Sequence, residues 1–274
     1  MKKLVPLGVV FSLLVATSPD ALAGETAGGV STEFKVTEQV AGSINLPLSL
    51  PTARGGVKPE VSFTYNSNQL SQSVAGTGWL LSGLQQIQHC APTPILDNSI
   101  GAVTNTSPDR LCLDGQRLDL VSGVYGAPGS DYRLDQQPGI TISAHGGSQA
   151  KGPVYFKVHS KARDTMYLGN AGTHSGSSAV VAQTENGTRT QWLLSSVEDG
   201  VSNRIDYQYQ VVSGSQTRRI DSIKYGAHTG DALSHYITVA FDYEDLGYPV
   251  KGFSAGEAFD LSTQLNRVRV LIDG

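Results

Sequence analysis

The feature that most constrains the fold of this chain is an almost unbroken succession of short period-two patterns separated by turn signals. The segment from Ile44 to Leu50 alternates apolar and other residues, and similar alternation recurs toward the end of the chain. Turn pairs such as Asn-Gly at 186–187 and Asp-Gly at 199–200 divide these segments at intervals of about 8 to 12 residues, which is typical of β-sandwiches and barrels. We therefore predict an all-β fold of antiparallel sheets, sandwich-like or barrel-like, with long loops and little helix. Any helix should be short and lie between Trp79 and Gln88.

A cluster of glycines around a tryptophan marks the first part of the chain. Gly76, Gly78 and Gly83 surround Trp79. Glycine has no side chain and adopts positive φ readily, so the backbone can pass close beneath a large aromatic ring. The unit contains no acid, base or nucleophile, and we interpret it as a structural device that closes a β-layer. We expect Trp79 to be buried and its removal to unfold the first half of the chain.

The N-terminus has the pattern of a secretory signal peptide over residues 1–23. Lys2 and Lys3 precede an apolar segment, and Ala21-Leu-Ala23 provides small residues for cleavage before Gly24. The alternative is a membrane anchor, but the apolar run is shorter than the roughly 20 residues that span a bilayer. We predict cleavage and export, with residues 24–32 disordered and no membrane span in the exported chain.

Residues 33–274 are predicted to form one β-rich domain, with a long loop or a seam between subdomains near residues 144–152. The composition, with 31 glycines and 16% charged residues, indicates many turns and a lightly charged surface. A formal net charge of −4 argues against nucleic acid as a partner, because nucleic-acid binding requires a basic surface.

The two cysteines of this chain, Cys90 and Cys112, are most simply one disulfide in an exported protein. Alternatives are a free reactive thiol, or two reduced buried cysteines in a chain that is not exported. A metal site is not favoured, because two thiols and the adjacent His89 do not complete a tetrahedral ligand set.

No pattern in the sequence predicts catalysis. The six histidines are scattered singly and form no metal-binding spacing such as HExxH. The strings that come nearest to a serine nucleophile motif lack its Gly-x-Ser-x-Gly pattern or its strand–helix context. We therefore predict no catalytic residues, no metal and no cofactor.

Several motifs occur in an order that resembles a known family. They are the segment from Leu48 to Cys90, DRLCLDGQRL at 109–118, WLLSSVEDG at 192–200, NRIDYQY at 203–209, IKYG at 223–226 and VAFDYE at 239–244. Together they resemble the N-terminal region of the SpvB and toxin-complex B-component (TcB) family of secreted bacterial toxins, which is associated with RHS/YD repeats. Trp192, in the third motif, is a second candidate structural residue.

The resemblance implies a non-catalytic module of a secreted virulence protein that contributes β-sheet to a shell around a cargo polypeptide. RHS/YD-repeat or toxin-complex components would be its partners, in the same chain or in another. Some members carry an ADP-ribosyltransferase domain, but its Glu-x-Glu pair does not occur in this sequence. Two alternatives stay open: a separate secreted binding or adhesion module that uses loops such as 90–112 and 145–151, and a truncated relative without function.

Overall fold

Strands dominate the computed structural model, which describes residues 14–15, 33–36, 42–106, 109–160, 164–172, 180–212, 217–254 and 257–273. Strand accounts for 61% of the chain and helix for 4%, which confirms the predicted all-β class with little helix. The strands are, in chain order, β1 (Leu14–Val15), β2 (Glu33–Val36), β3 (Gly42–Pro47), β4 (Ser62–Asn66), β5 (Gln72–Ser73), β6 (Gly76–Thr77), β7 (Trp79–Ser82), β8 (Gln86–Cys90), β9 (Arg110–Leu113), β10 (Gln116–Ser122), β11 (Asp131–Leu134), β12 (Gln137–Ser148), β13 (Gly152–His159), β14 (Thr165–Gly169), β15 (Val181–Gln183), β16 (Arg189–Glu198), β17 (Asn203–Val211), β18 (Arg218–His228), β19 (Ile237–Ser254) and β20 (Glu257–Ile272).

Eight antiparallel strands close into a barrel. Strands β8 to β14 pair in sequence order, β14 pairs with β16, and β16 returns to β8 through pairs such as Trp192 opposite Ile87. A barrel of this size is filled by its own side chains. Accordingly, Tyr132, Phe156 and Trp192 contact one another across the interior, with ring centroids 6.3 Å apart for the first two and 5.0 Å apart for the last two.

Strand β16 belongs both to the barrel and to a sheet that extends from it. Residues 191–193 of β16 pair with β8, whereas residues 196–198 pair with β17. Beyond β17 the sheet continues through β18, β19 and β20 in chain order. The barrel and the extended sheet are therefore joined by one continuous strand.

A second sheet, of strands β2, β3, β4 and β7, lies against the extended sheet. The Tyr225 hydroxyl of β18 donates a 2.8 Å hydrogen bond to the carbonyl of Pro51, and the Leu265 amide of β20 donates to the carbonyl of Val74 at 2.7 Å. Val61 and Phe63 belong to the same buried cluster as the interior residues of the barrel. One core thus combines both predicted architectures, a barrel and a sandwich.

The short helix is not where the sequence suggested. Residues 79–82 and 86–90 are strands of two different sheets, with Gly83 between them at φ +92°. Helix α1 is Pro94–Asp97, inside the loop between the two cysteines. Pro94 occupies its first turn, where the missing amide hydrogen costs nothing, and this start signal is independent of period-two alternation.

The prediction of a long loop or a seam near residues 144–152 is not matched by the structure. Strands β12 and β13 pair continuously as far as Ser148 opposite Gly152, so this segment is a hairpin within the barrel. Gly146 and Gly147 have φ values of +62° and +87°, which strand glycines tolerate and other residues rarely adopt. The small residues that suggested flexibility instead allow the two strands to turn.

Candidate functional site

The glycines around Trp79 bring strands of the N-terminal sheet into close contact. A side chain at Gly83 would place its Cβ 1.9 Å from the carbonyl oxygen of Glu60, and one at Gly78 would place its Cβ 2.7 Å from the ring of Tyr65. Both glycines also have positive φ. Gly76 has φ +108° beside Gln264 of β20. These positions require glycine for reasons of space and of backbone conformation.

Trp79 itself is less enclosed than expected. It lies on β7, at the edge of its sheet, and packs only partly buried against the core. Its ring centroid is 5.2 Å from that of Tyr65, the cross-strand neighbour on β4. Because solvent reaches part of the ring, Trp79 is less buried than we predicted. Its role as a support of the first half stays a prediction.

Trp192 is the tryptophan that the fold encloses. It is 1% exposed on β16, and its Nε1 donates a 2.8 Å hydrogen bond to the carbonyl of Pro153 on β13. The ring of Phe156 meets it edge-on at an interplanar angle of 89°, and His89 stacks at 6.1 Å. Trp192 therefore connects β16 to β13 and β8 through its side chain.

Cys90 and Cys112 form a disulfide between β8 and β9. A second link closes the same loop, because Asp97 of helix α1 accepts hydrogen bonds from Arg110 of β9 and Arg117 of β10. The Asp97 side chain is only 2% exposed, and hydrogen bonding to these guanidinium groups holds the pKa of its carboxyl well below the usual range. The disulfide and this ion cluster together fix an otherwise irregular loop to the barrel.

One end of the barrel is open, and we call it the barrel mouth. Its cavity has a volume of about 510 Å³, and the residues that define it here are His89, Asp109, Tyr125, Pro153, Arg189 and Trp192. Barrel mouths are among the usual positions of ligand sites. Leu118 and Ile142, which are fully buried on β10 and β12, do not line this cavity.

Three ionisable groups of the mouth differ in the hydrogen bonds that they make to the rest of the protein. Asp109 is 3% exposed and accepts hydrogen bonds from the backbone amides of residues 104–106 and from the Thr104 hydroxyl. His89 Nδ1 lies 3.7 Å from Asp109 Oδ2 without a hydrogen bond, and burial is the main cause that lowers the pKa of His89. Arg189 Nη1 donates to the carbonyls of Lys151 and Gly152 at 3.2 and 2.9 Å.

A largely buried cluster on β16 and β17 is the arrangement closest to a catalytic triad. Asp206 of β17 contacts Arg204 at 2.6 Å and His235 Nε2 at 3.2 Å, and Ser196 lies opposite it on β16. The Ser196 hydroxyl is buried and makes no hydrogen bond, so the serine–histidine bond that would activate a nucleophile is absent from this cluster. Among the residues described, no group of three or more His, Cys, Asp or Glu side chains is suited to a metal ion. His174 lies outside the described residues.

The outer edge of β20, the last strand of the extended sheet, has few backbone partners. In the described part of the chain, two segments bond to this strand outside its ladder with β19: β1, in parallel and through two residues opposite Arg269 and Val270, and Val74, whose carbonyl accepts from the Leu265 amide. Leu271 and Ile272, near the end of β20, are 38% and 57% exposed. Strand edges of this kind are sites where another strand can add.

Solved structures, but no family profile and no curated sequence, are similar to this chain. No family profile matches the chain, and no curated protein matches its sequence. Among solved structures, TcdB2-TccC3 aligns with 93% of this chain at a TM-score of 0.68 and 14% identity. The N-terminal domain of the effector protein SpvB from Salmonella typhimurium strain LT2 aligns with 81% at a TM-score of 0.64 and 16% identity. The Photorhabdus luminescens Tc holotoxin pore aligns with 92% at 0.63 and 15%.

These similarities confirm the resemblance seen in the sequence at the level of the fold. The chain spans 15% of the TcdB2-TccC3 chain but 86% of the SpvB N-terminal domain. Its fold is thus that of a unit found both within a far longer toxin-complex chain and as the N-terminal domain of an effector. Within the described ranges, no helix has the length and apolar character needed to cross a membrane.

Proposed function

We propose that this chain is a non-catalytic structural module of a secreted bacterial toxin-like protein, and that its sheet forms part of a shell around a cargo polypeptide. The observation that carries the proposal is the outer edge of β20, on a fold shared with toxin-complex and SpvB N-terminal structures. The Trp79 glycine unit, the Cys90–Cys112 disulfide and Trp192 would serve this role by keeping the sheet rigid.

The partner would be another β-rich polypeptide. Main-chain groups at a strand edge bind an extended segment whatever its sequence, and the exposed side chains of Leu271 and Ile272 would pack against the added strand. An RHS/YD-repeat or toxin-complex component, in the same chain or in a separate one, has this character. The net charge of −4 does not favour nucleic acid.

Export would precede assembly. Cleavage after Ala23 would remove β1 and free the β20 edge for a partner strand. The expected measurement is N-terminal sequencing of the protein recovered from culture supernatant, with Gly24 as the first residue. A secreted protein that still begins at Met1 would contradict this step.

Assembly can be tested with charged substitutions at the edge. We expect the full chain, co-expressed with an RHS-repeat or toxin-complex component from the same genome, to co-elute with it in size-exclusion chromatography. The double variant Leu271→Lys/Ile272→Lys should abolish co-elution, because lysines at an edge oppose strand addition. Val211→Lys is the matched control, since Val211 is 46% exposed on the interior strand β17. Co-elution that survives the edge variant would refute the proposed contact.

A separate binding module is the second candidate, and the loop between the cysteines favours it. Ile95 and Ile100 are 95% and 84% exposed there, on a loop fixed by the disulfide and by Asp97. Exposed apolar side chains on a rigid loop suit a protein contact. A chain that stays monomeric beside every shell component, yet loses surface adhesion on Ile95→Ser, would support this candidate instead.

A further inference from the structure

The hairpin of β19 and β20 extends beyond the sheet that carries it, and we call its outer part, residues 245–254 and 257–263, the arm. Strand β18 pairs with β19 only as far as Ala240, so no residue pair joins β18 to the arm. The pairing of β19 with β20 continues through the arm. Within the described residues, the arm is therefore a two-stranded ribbon with no strand beside its β19 edge. An edge of this kind can pair with a strand of another molecule.

The base of the arm is fixed to β18 by side chains. The Tyr243 hydroxyl donates a 2.6 Å hydrogen bond to the carbonyl of Ile220. The guanidinium of Arg219 lies 4.1 Å from the centroid of the Tyr243 ring and also hydrogen bonds to the hydroxyl of Thr263. These contacts hold the arm in position, so its β19 edge is presented to solvent and not folded back onto the sheet.

The β19 side of the arm is interrupted by a bulge at residues 246–249. Asp245 is opposite Thr263, and the next pair is Val250 opposite Leu261. Between these two pairs β19 has four residues where β20 has one. Extra residues on one strand disrupt the ladder locally and bend that strand. The backbone of β19 therefore does not offer a second strand a continuous row of regularly spaced groups.

The residues of this segment reinforce the interruption. Gly247 has φ +71°, and its amide donates a 2.8 Å hydrogen bond to Asp245 Oδ1, which holds the bulge in shape. Pro249 has no amide hydrogen to donate to another strand. Lys251, exposed on the same strand, adds a charge. Bulges, prolines and lysines are the features by which natural edge strands avoid pairing with other chains, and all three occur here.

We propose that the bulge at residues 246–249 prevents the β19 edge of the arm from pairing with a second copy of this chain. A second copy is the strand to be excluded, because every molecule presents the same edge and two identical edges can pair antiparallel about a twofold axis. The bulge therefore limits self-association of the chain. It lies on β19, so this role is independent of the β20 edge and of the proposed shell function.

Removal of the bulge from the full chain tests its role. The shortened variant lacks residues 246–248 and carries Pro249→Thr, so one residue remains between Asp245 and Val250, as on β20, and every residue can donate. We expect the unaltered chain to sediment as a monomer and the shortened variant to shift to a dimer as its concentration rises. A shortened variant that keeps the circular dichroism of the unaltered chain and stays monomeric would overturn the proposal.

Two controls separate the bulge from other causes of association. Tyr248→Ser removes a side chain that is 60% exposed but keeps the backbone of the bulge, and it should stay monomeric. Dimerisation of this variant would show that the bulge backbone does not protect the edge. Addition of Leu271→Lys/Ile272→Lys to the shortened variant should leave its dimer intact, because these residues lie on β20. Loss of the dimer would assign the association to β20 and refute the proposal.

A further measurement decides if the shortened variant does not fold. The chain that keeps the bulge and carries only Leu271→Lys/Ile272→Lys has its β20 edge blocked by charge. We expect it to sediment as a monomer at every concentration tested. Self-association of this chain would show that the bulge does not prevent pairing and would overturn the proposal.

Discussion

Replacement of Trp192 by alanine is the perturbation that best tests how the barrel is held together. The side chain is 1% exposed, and removal of a buried tryptophan costs about 3–5 kcal/mol. The substitution also leaves the buried carbonyl of Pro153 without its 2.8 Å hydrogen bond, which adds about 1 kcal/mol. Since single domains are stable by about 5–15 kcal/mol, we expect Trp192→Ala to remove a large fraction of the total stability.

Urea titration followed by circular dichroism measures this loss, and Trp79→Ala is the internal comparison. Trp79 is only partly buried on the edge strand β7, so its removal should cost about 1–2 kcal/mol. The two variants delete the same atoms, and only the surroundings differ. A Trp79→Ala variant that is as destabilised as Trp192→Ala, or more so, would show that the N-terminal sheet and not the barrel is the main support.

Three further perturbations follow from particular contacts. Gly83→Ala should destabilise the chain by about 2–5 kcal/mol, because its Cβ would meet the Glu60 carbonyl at 1.9 Å; thermal melting measures this, and an unchanged melting temperature would contradict it. Cys112→Ser should cost about 3 kcal/mol through the loop of 22 residues that the bond to Cys90 closes; identical urea midpoints for oxidised and reduced chains would argue against this value. Asp97 has a lower pKa in the folded chain than its unfolded value of roughly 3.9, so it stabilises the fold above that pH and this contribution is lost on acidification. Asp97→Asn should therefore flatten the acid side of the stability profile measured by urea titration, and an unchanged profile would exclude the role.

The strand content of the fold was accessible from the sequence because period-two alternation depends only on local residues. Closure of the barrel could not be predicted from the sequence, because it depends on contacts between residues that are distant in the chain. Gln86 and Gln191 face each other across the closing strands but are 105 residues apart in the chain. Nothing in either segment alone specifies the other as its neighbour.

The structural residues were only partly predictable. The close approaches at Gly78 and Gly83 follow from the absence of a side chain, which the sequence makes visible. The sequence did not distinguish the half-buried Trp79 from the enclosed Trp192, since burial depends on which sheet covers each ring. The Asp97 cluster was also missed, because its arginines are 13 and 20 residues away and lie together only after β9 and β10 have paired.

Strand β16 has a mechanical consequence, because its second half is shared between the barrel and the extended sheet. Its first half hydrogen bonds to β8 in the barrel, and its second half lies between β14 of the barrel and β17 of the extended sheet. A hinge between these parts would have to bend a single paired strand and break its ladder. Force applied at the distant edge of the sheet would therefore reach the barrel through the backbone hydrogen bonds of this shared strand.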